Sequence, residues 1–200
     1  MYYNWRSGSS EGIKEIASVL RREGTVAVVP TETVYGLVGR VSDSLCREKI
    51  YELKHRAENK PFAAFLPDLD RLPQEVDSLP DAAIRIASAF CPGPLTLIVP
   101  DKNGSTFGFR IPDHPFILEL LRAFGKPLAS TSANLSGNPP ALSVQQGLAD
   151  IDGEVALAID GGVLPSDSKA STVILVNRDS TWKILRPGPV TEEMIRDVMK

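Results

Sequence analysis

The sequence predicts an α/β fold with a twisted, mixed β-sheet flanked by helices. Segments with apolar residues at helical spacing alternate with short β-branched runs through the first part of the chain. Strand-like segments then cluster toward the end, which adds antiparallel pairing to the alternating pattern. The composition, 42% hydrophobic and 24% charged, is that of an ordinary globular chain and argues against bulk disorder. At roughly 150 residues per domain, a length of 200 favours one domain over 1–200.

The elements follow in order. Ile13, Ile16, Ala17 and Leu20 recur at i, i+3, i+4 and i+7, predicting a helix over 10–22 that Gly24 ends. Thr25–Val29 is an apolar run stopped by Pro30, a buried strand. A helix over 44–56 turns Leu45, Ile50 and Leu53 inward, with Ser42, Asp43 or Ser44 as its cap. Phe62–Leu66 reads as a strand, and 81–90 as a helix ending before CPGP. Leu95–Val99 and Thr106–Ile111 are strands flanking the turn Asp101–Ser105. Pro115, favoured in a first helical turn, opens a helix to Phe124, and Gly125 closes it. Pro127–Ser130, Val155–Ile159, Thr172–Val176 and Trp182–Leu185 read as strands, and Thr191 caps a last helix. Only 137–143 looks like a linker, and it is too short to separate domains.

Lysine and arginine number 22 against 25 acids, a net charge of −3. That excludes a strongly basic coat for nucleic acid and leaves room for a local basic groove. No apolar run approaches the ~18 residues of a membrane helix, and the N-terminus does not read as a signal peptide. The expectation is a cytoplasmic protein with no membrane partner. Cys46 and Cys91 are expected to be free thiols, and without a CxxC they suggest no zinc site. The chain lacks GxxxxGK[ST], GxGxxG and GxSxG, and its only histidines are His55 and His114. P-loop, dinucleotide-fold and serine-hydrolase readings therefore have no motif behind them.

Several segments carry chemistry, each with a structural reading beside the functional one. PTETVYGL, residues 30–37, follows a buried strand directly. It is either a ligand-binding strand end or a strand-to-helix turn with Thr31 and Thr33 as local caps. Residues 47–60 hold five cations against three acids, net +2, in an otherwise acidic chain. Lys54 and Arg56 complement a helix C-terminus or clamp phosphate. FCPGPLT is a rigid turn into a strand. In FGFRIPDHP, Arg110 interrupts an apolar strand, so it is an edge residue or is aimed at an anion in a cavity. STSANLSG, residues 130–137, offers hydroxyl, amide and main-chain donors to phosphate or ribose, or is a solvated loop. Arg186, at a strand end before Pro187-Gly188, caps a pocket or faces water. Together these residues suit an anionic, phosphorylated small ligand without specifying a reaction.

The ordered set PTETVYGL, LKHR, FCPGPLTL, RIPDHP, STSANLSG, STV and LRPG resembles the YrdC-like family of L-threonylcarbamoyladenylate synthases, over residues 24–188. The resemblance implies a YrdC-like fold, a twisted sheet around a deep basic cavity. It implies a nucleotidyltransferase that converts L-threonine, bicarbonate and ATP to threonylcarbamoyl-AMP and pyrophosphate. That product feeds threonylcarbamoyl modification of tRNA adenosine 37, with tRNA or double-stranded RNA and other tRNA threonylcarbamoylation proteins as partners. The family's KxR falls on Lys54 and Arg56 and its SxN on Ser132 and Asn134, which the resemblance makes the catalytic set. Lys60, Thr106, Ser130 and Arg186 resemble further ATP contacts, and Thr33, Arg110 and Ser171 resemble the lining of a threonine pocket. Ala57 departs from the proline that usually follows the KxR arginine. No acidic cluster in these motifs resembles a metal cage, so Mg2+ would arrive with ATP. Ending at Lys200, the chain resembles the family's short, single-domain form. A non-catalytic double-stranded RNA-binding module and a carbamoyltransferase-type domain are the alternatives. The net charge weakens the first, and the missing CxxC and spare length weaken the second.

Overall fold

The structure is a computed structural model that describes residues 1–5, 12–57, 61–73, 76 and 78–200. The apolar and β-branched runs of these residues contribute ten strands to one sheet. They are β1 (Tyr2–Asn4), β2 (Val26–Val29), β3 (Gly36–Arg40), β4 (Ala63–Phe65), β5 (Leu95–Pro100), β6 (Thr106–Arg110), β7 (Leu128–Ser132), β8 (Leu157–Asp160), β9 (Thr172–Val176) and β10 (Trp182–Arg186). Their order across the sheet is β1-β8-β2-β3-β7-β4-β6-β5-β9-β10. The consecutive pairs β2/β3, β5/β6 and β9/β10 are antiparallel, and β7 runs antiparallel to both β3 and β4 in the middle. β1/β8, β2/β8, β4/β6 and β5/β9 are parallel. The predicted mixed sheet is thus present.

The helices are α1 (Ile13–Leu20), α2 (Ser44–Lys54), α3 (Asp81–Phe90), α4 (Pro115–Phe124), α5 (Val144–Ala149) and α6 (Glu192–Val198). α1 and α4 pack on one face of the first half of the sheet, over Ala27, Val29, Leu157 and Ile159. α2 and α5 cover its other face over Val26, Val28 and Leu37. Burial from both sides explains why β2 reads as an uninterrupted apolar run. In the second half, α3 and α6 cover Leu95, Leu97, Val99, Phe109, Ile174 and Val176.

Four expectations change. PTETVYGL does not turn into a helix: it bridges an antiparallel hairpin, because Gly36–Arg40 pairs back onto β2 from Val29↔Gly36 to Val26↔Gly39. Leu45 is 48% exposed, and Cys46, fully buried, takes the inward position on α2. Asp43 caps that helix by accepting the Cys46 N–H, which sets the helix face one residue later. Gly39 lets α2 approach this closely, since a Cβ there would stand 2.0 Å from Cys46 Sγ. The supposed linker 137–143 ends in Ser143, which caps α5 by accepting the Gln146 N–H. The N-terminal residues add the unforeseen β1, parallel to β8 from Tyr2↔Ala158. Cys46 and Cys91 are free, as expected, and burial pushes both thiols up to about 11.

Candidate active site

The side-chain alternation of β5, β6 and β9 builds the site. Leu97, Phe109 and Ile174 point to the core beneath α3 and α6. Thr96, Ile98, Arg110 and Val173 therefore point the other way and, with the backbone of Gly108, line a cavity of ≈ 310 Å³. Ser130 and Ser132 of β7, Thr31 of the β2–β3 loop, and Phe62 and Phe65 complete its walls.

Three arginines line this cavity. Arg110 is 5% exposed. Its Nε donates to the Gly93 carbonyl at 3.2 Å, its guanidinium lies over the Phe65 ring, and its Nη2 is 2.7 Å from Glu32 Oε1. Arg186 donates from Nε and Nη2 to the Ser171 carbonyl at 3.1 and 2.8 Å, and from Nη2 to Ser171 Oγ at 3.1 Å. Ser171 Oγ in turn lies 2.8 Å from Thr96 Oγ1. Gly188 keeps this strand end close, because a Cβ there would sit 2.5 Å from the Thr172 nitrogen. Arg56 donates to the Pro61 carbonyl at 3.1 Å and lies over the Phe62 ring. Burial pushes Arg56 and Arg186 below the usual guanidinium range, and for Arg186 the nearby charges of Arg110 and Arg56 add to it. Three guanidinium groups around one partly desolvated cavity, one of them paired with Glu32, suit an anion.

The other predicted residues lie elsewhere. Lys54 ends α2 on its buried face, His55 closes the helix with φ 47°, and beyond that reversal Arg56 reaches the cavity. Lys54, expected beside Arg56 at the phosphates, is 1% exposed and lies outside the lining of this cavity. Its Nζ donates to the main-chain carbonyls of Ser132 and Asn134, and to Asn134 Oδ1 at 3.4 Å. Burial, with the charge of Arg56, pushes the ammonium down to about 8. Asn134 is also behind the wall: its Nδ2 donates to the Leu135 and Asn138 carbonyls, both at 2.8 Å. Thr33 is buried behind Thr31, their hydroxyls 2.9 Å apart, and Thr31 takes the wall position. Thr31 Oγ1 donates to the Val34 carbonyl and accepts the Thr33 and Val34 N–H groups, a local turn that decides which threonine faces inward. Lys60 lies outside the described residues.

The cavity therefore gathers Arg56, Thr106, Ser130, Ser132, Arg110, Ser171 and Arg186 from the predicted set. It adds Thr31, which the sequence offered only as a local cap, and Thr96, Phe62 and Phe65, which sequence reasoning passed over. Thr96 was signalled by alternation in Leu95-Thr96-Leu97. Phe62 and Phe65 carry no signal that separates them from core aromatics.

A mixed sheet whose polar face presents converging arginines and hydroxyls defines an α/β protein with a cavity suited to a small anionic ligand. Within that class, the chain belongs to the Sua5/YciO/YrdC family, whose model, described as telomere recombination, matches residues 19–188. It is 36% identical over 193 residues to a Bacillus subtilis protein named threonylcarbamoyl-AMP synthase, covering 92% of this chain and 55% of that one. A Mus musculus protein of the same name is 37% identical over 209 residues, covering 94% and 70%. The chain thus spans about half the length of the Bacillus relative. The crystal structure of P. abyssi Sua5 complexed with L-threonine matches with a TM-score of 0.89 and 32% identity, over 100% of this chain and 61% of that one. E. coli YciO matches with a TM-score of 0.81 and 26% identity, over 96% and 97%. Among the described residues, no helix is long and apolar enough to cross a membrane.

Proposed function

We propose that this chain makes threonylcarbamoyl-AMP from L-threonine, bicarbonate and ATP, releasing pyrophosphate by nucleotidyl transfer. The observation that carries this reading is the convergence of Arg56, Arg110 and Arg186 on one hydroxyl-lined cavity, in a chain whose relatives bear that activity's name.

The threonine amine and bicarbonate condense to a carbamate with loss of water. A carbamate oxygen attacks the α-phosphorus of ATP, and the bond to the β-phosphate oxygen breaks, expelling pyrophosphate. Such a transfer depends on alignment and charge neutralisation rather than on a protein nucleophile. Arg56 and Arg186 hold the phosphates, with Ser130, Ser132 and Thr106 as hydroxyl donors. Arg110 pairs with the threonine carboxylate, and Thr31 and Ser171 face its hydroxyl. Lys54, Asn134 and Thr33 act one layer back, by holding the residues that touch substrate. Mg2+ would come in on the triphosphate and neutralise part of its charge. In the cell the product would pass to other tRNA threonylcarbamoylation proteins for modification of adenosine 37, in the cytoplasm where ATP and tRNA meet.

The test is pyrophosphate release by the purified chain with magnesium, ATP, bicarbonate and threonine, with mass spectrometry of the product. Release that needs all three substrates and yields threonylcarbamoyl-AMP is the expected result. Absence of both overturns the reading, and binding of double-stranded RNA without turnover would favour a binding module.

A further inference from the structure

Glu32 stands against Arg110 although the proposed chemistry gives it no task. It sits between Thr31 and Thr33 on the β2–β3 loop. Its Oε1 accepts the Asp113 N–H at 2.9 Å and lies 2.7 Å from Arg110 Nη2. The second contact is a close ion pair rather than an aligned hydrogen bond, and Glu32 Oε2 is buried without a hydrogen-bond partner among the described residues. A carboxylate oxygen held in this way is costly, so its effect is to be sought in the charge it sets beside Arg110.

The arginines of the cavity differ accordingly. Arg186 is anchored on the carbonyl and hydroxyl of Ser171, neutral acceptors that leave its charge whole. Arg110 has the Glu32 carboxylate 2.7 Å away as a counter-charge. A planar carboxylate turns both oxygens toward a guanidinium and keeps them in one plane. A tetrahedral phosphate brings further anionic oxygens, and beside Arg110 these meet the Glu32 carboxylate. The repulsion falls on phosphate more than on a carboxylate, and such repulsive elements set specificity.

We propose that Glu32 is a positioning residue that fixes the specificity of the Arg110 end of the cavity, admitting an amino-acid carboxylate and excluding phosphate and pyrophosphate. The inference rests on the synthase reading for the placement of threonine at Arg110. It would keep the released pyrophosphate, and the triphosphate of ATP, from occupying the threonine site.

Calorimetric titration of the full chain with threonine and with pyrophosphate tests it. In the wild type, saturating pyrophosphate should leave threonine affinity unchanged. Glu32→Gln keeps an acceptor for the Asp113 N–H and removes the charge. In that variant pyrophosphate should become competitive with threonine and bind at the Arg110 end about tenfold or more tightly. Glu32→Asp, which keeps the charge, should restore the wild-type pattern, as a role in folding alone would not require. Displacement of threonine by pyrophosphate in the wild type overturns the inference even if Glu32→Gln fails to fold. So does a folded Glu32→Gln that still binds both ligands independently. A wild type that binds neither threonine nor ATP overturns the synthase reading instead.

Discussion

Lys54 holds Asn134 from inside the fold, donating from Nζ to its main-chain carbonyl and, at 3.4 Å, to its side-chain Oδ1. The same ammonium donates to the Ser132 carbonyl. An ammonium has three donors, and this one has three oxygen acceptors. Lys54 and Arg56, two residues apart in one motif, thus differ in place: one holds the carbonyls of the 132–134 loop, the other lines the cavity.

Lys54→Met should therefore destabilise the protein by about 2–4 kcal/mol, since it leaves buried carbonyl oxygens without donors. ATP affinity should fall with it. Arg56→Ala should cut turnover roughly 10²-fold as a lost preorganised charge contact and change stability by less than ~1 kcal/mol, in the range of ordinary non-core substitutions. Urea denaturation beside steady-state kinetics separates the two. Equal stability of both variants would return Lys54 to the cavity.

This division was not legible in the sequence. The KxR spacing is the same whether both side chains face phosphate or both complement a helix end. Lys54 follows the buried face of α2, and the left-handed backbone at His55 takes Arg56 off that face; a histidine does not announce φ > 0 as a glycine does. Thr31 and Thr33 posed the same problem, resolved by a hydrogen-bonded turn. Arg110 was half legible: the alternation in Phe107-Gly108-Phe109-Arg110-Ile111 sets it opposite two phenylalanines, but an edge strand would read the same, and the pairing of β6 between β4 and β5 decides for the cavity. The strand β3 was hidden because GLVGR has two glycines and few β-branched residues. Its edge is set by tertiary pairing with β2 and β7.

The depressed Lys54 ammonium gives a pH signature. Burial places it at about 8 in the folded chain against 10.5 for a free lysine. Below pH 8 both folded and unfolded chains hold the proton, and burying the charge opposes folding in full. Between about 8 and 10.5 the folded chain releases the proton while the unfolded chain keeps it, so that opposition fades as pH rises. A polyphosphate bound nearby favours the charged form. ATP binding at pH 8 should take up a fraction of a proton, read from calorimetry in buffers of different ionisation enthalpy. Lys54→Met should abolish the uptake, and uptake that persists would assign it to another group.

Arg186 is tied to Ser171 by a fork of three hydrogen bonds. A lysine cannot reproduce that fork. Arg186→Lys should keep the charge and lose the aim, lowering kcat/KM for ATP roughly 10-fold to 10²-fold, the range for a lost electrostatic contact. Ser171→Ala removes only the hydroxyl and should cost less, since the Ser171 carbonyl still anchors the guanidinium. Kinetics of the two variants check the ranking; full activity in Arg186→Lys would mean that charge alone suffices.

Amino-acid selectivity tests the part of the cavity around Arg110. Thr31, Thr96 and Ser171 place hydroxyls in the wall that Arg110 shares. A site built to hydrogen-bond a substrate hydroxyl rejects an analogue lacking it strongly, because its own polar groups are left unpaired, whereas a missing methyl costs only ~1–3 kcal/mol. Serine keeps the hydroxyl and loses the methyl, so it should be a poor but measurable substrate. Valine keeps the shape and loses the hydroxyl, so it should be worse. Arg110→Ala should raise the threonine requirement and leave ATP affinity nearly intact, because Arg56 and Arg186 remain. Competition between the three amino acids in the pyrophosphate assay decides the order. Valine outperforming serine would mean that the pocket reads shape, and the placement of the threonine hydroxyl against Thr31 and Ser171 would fall.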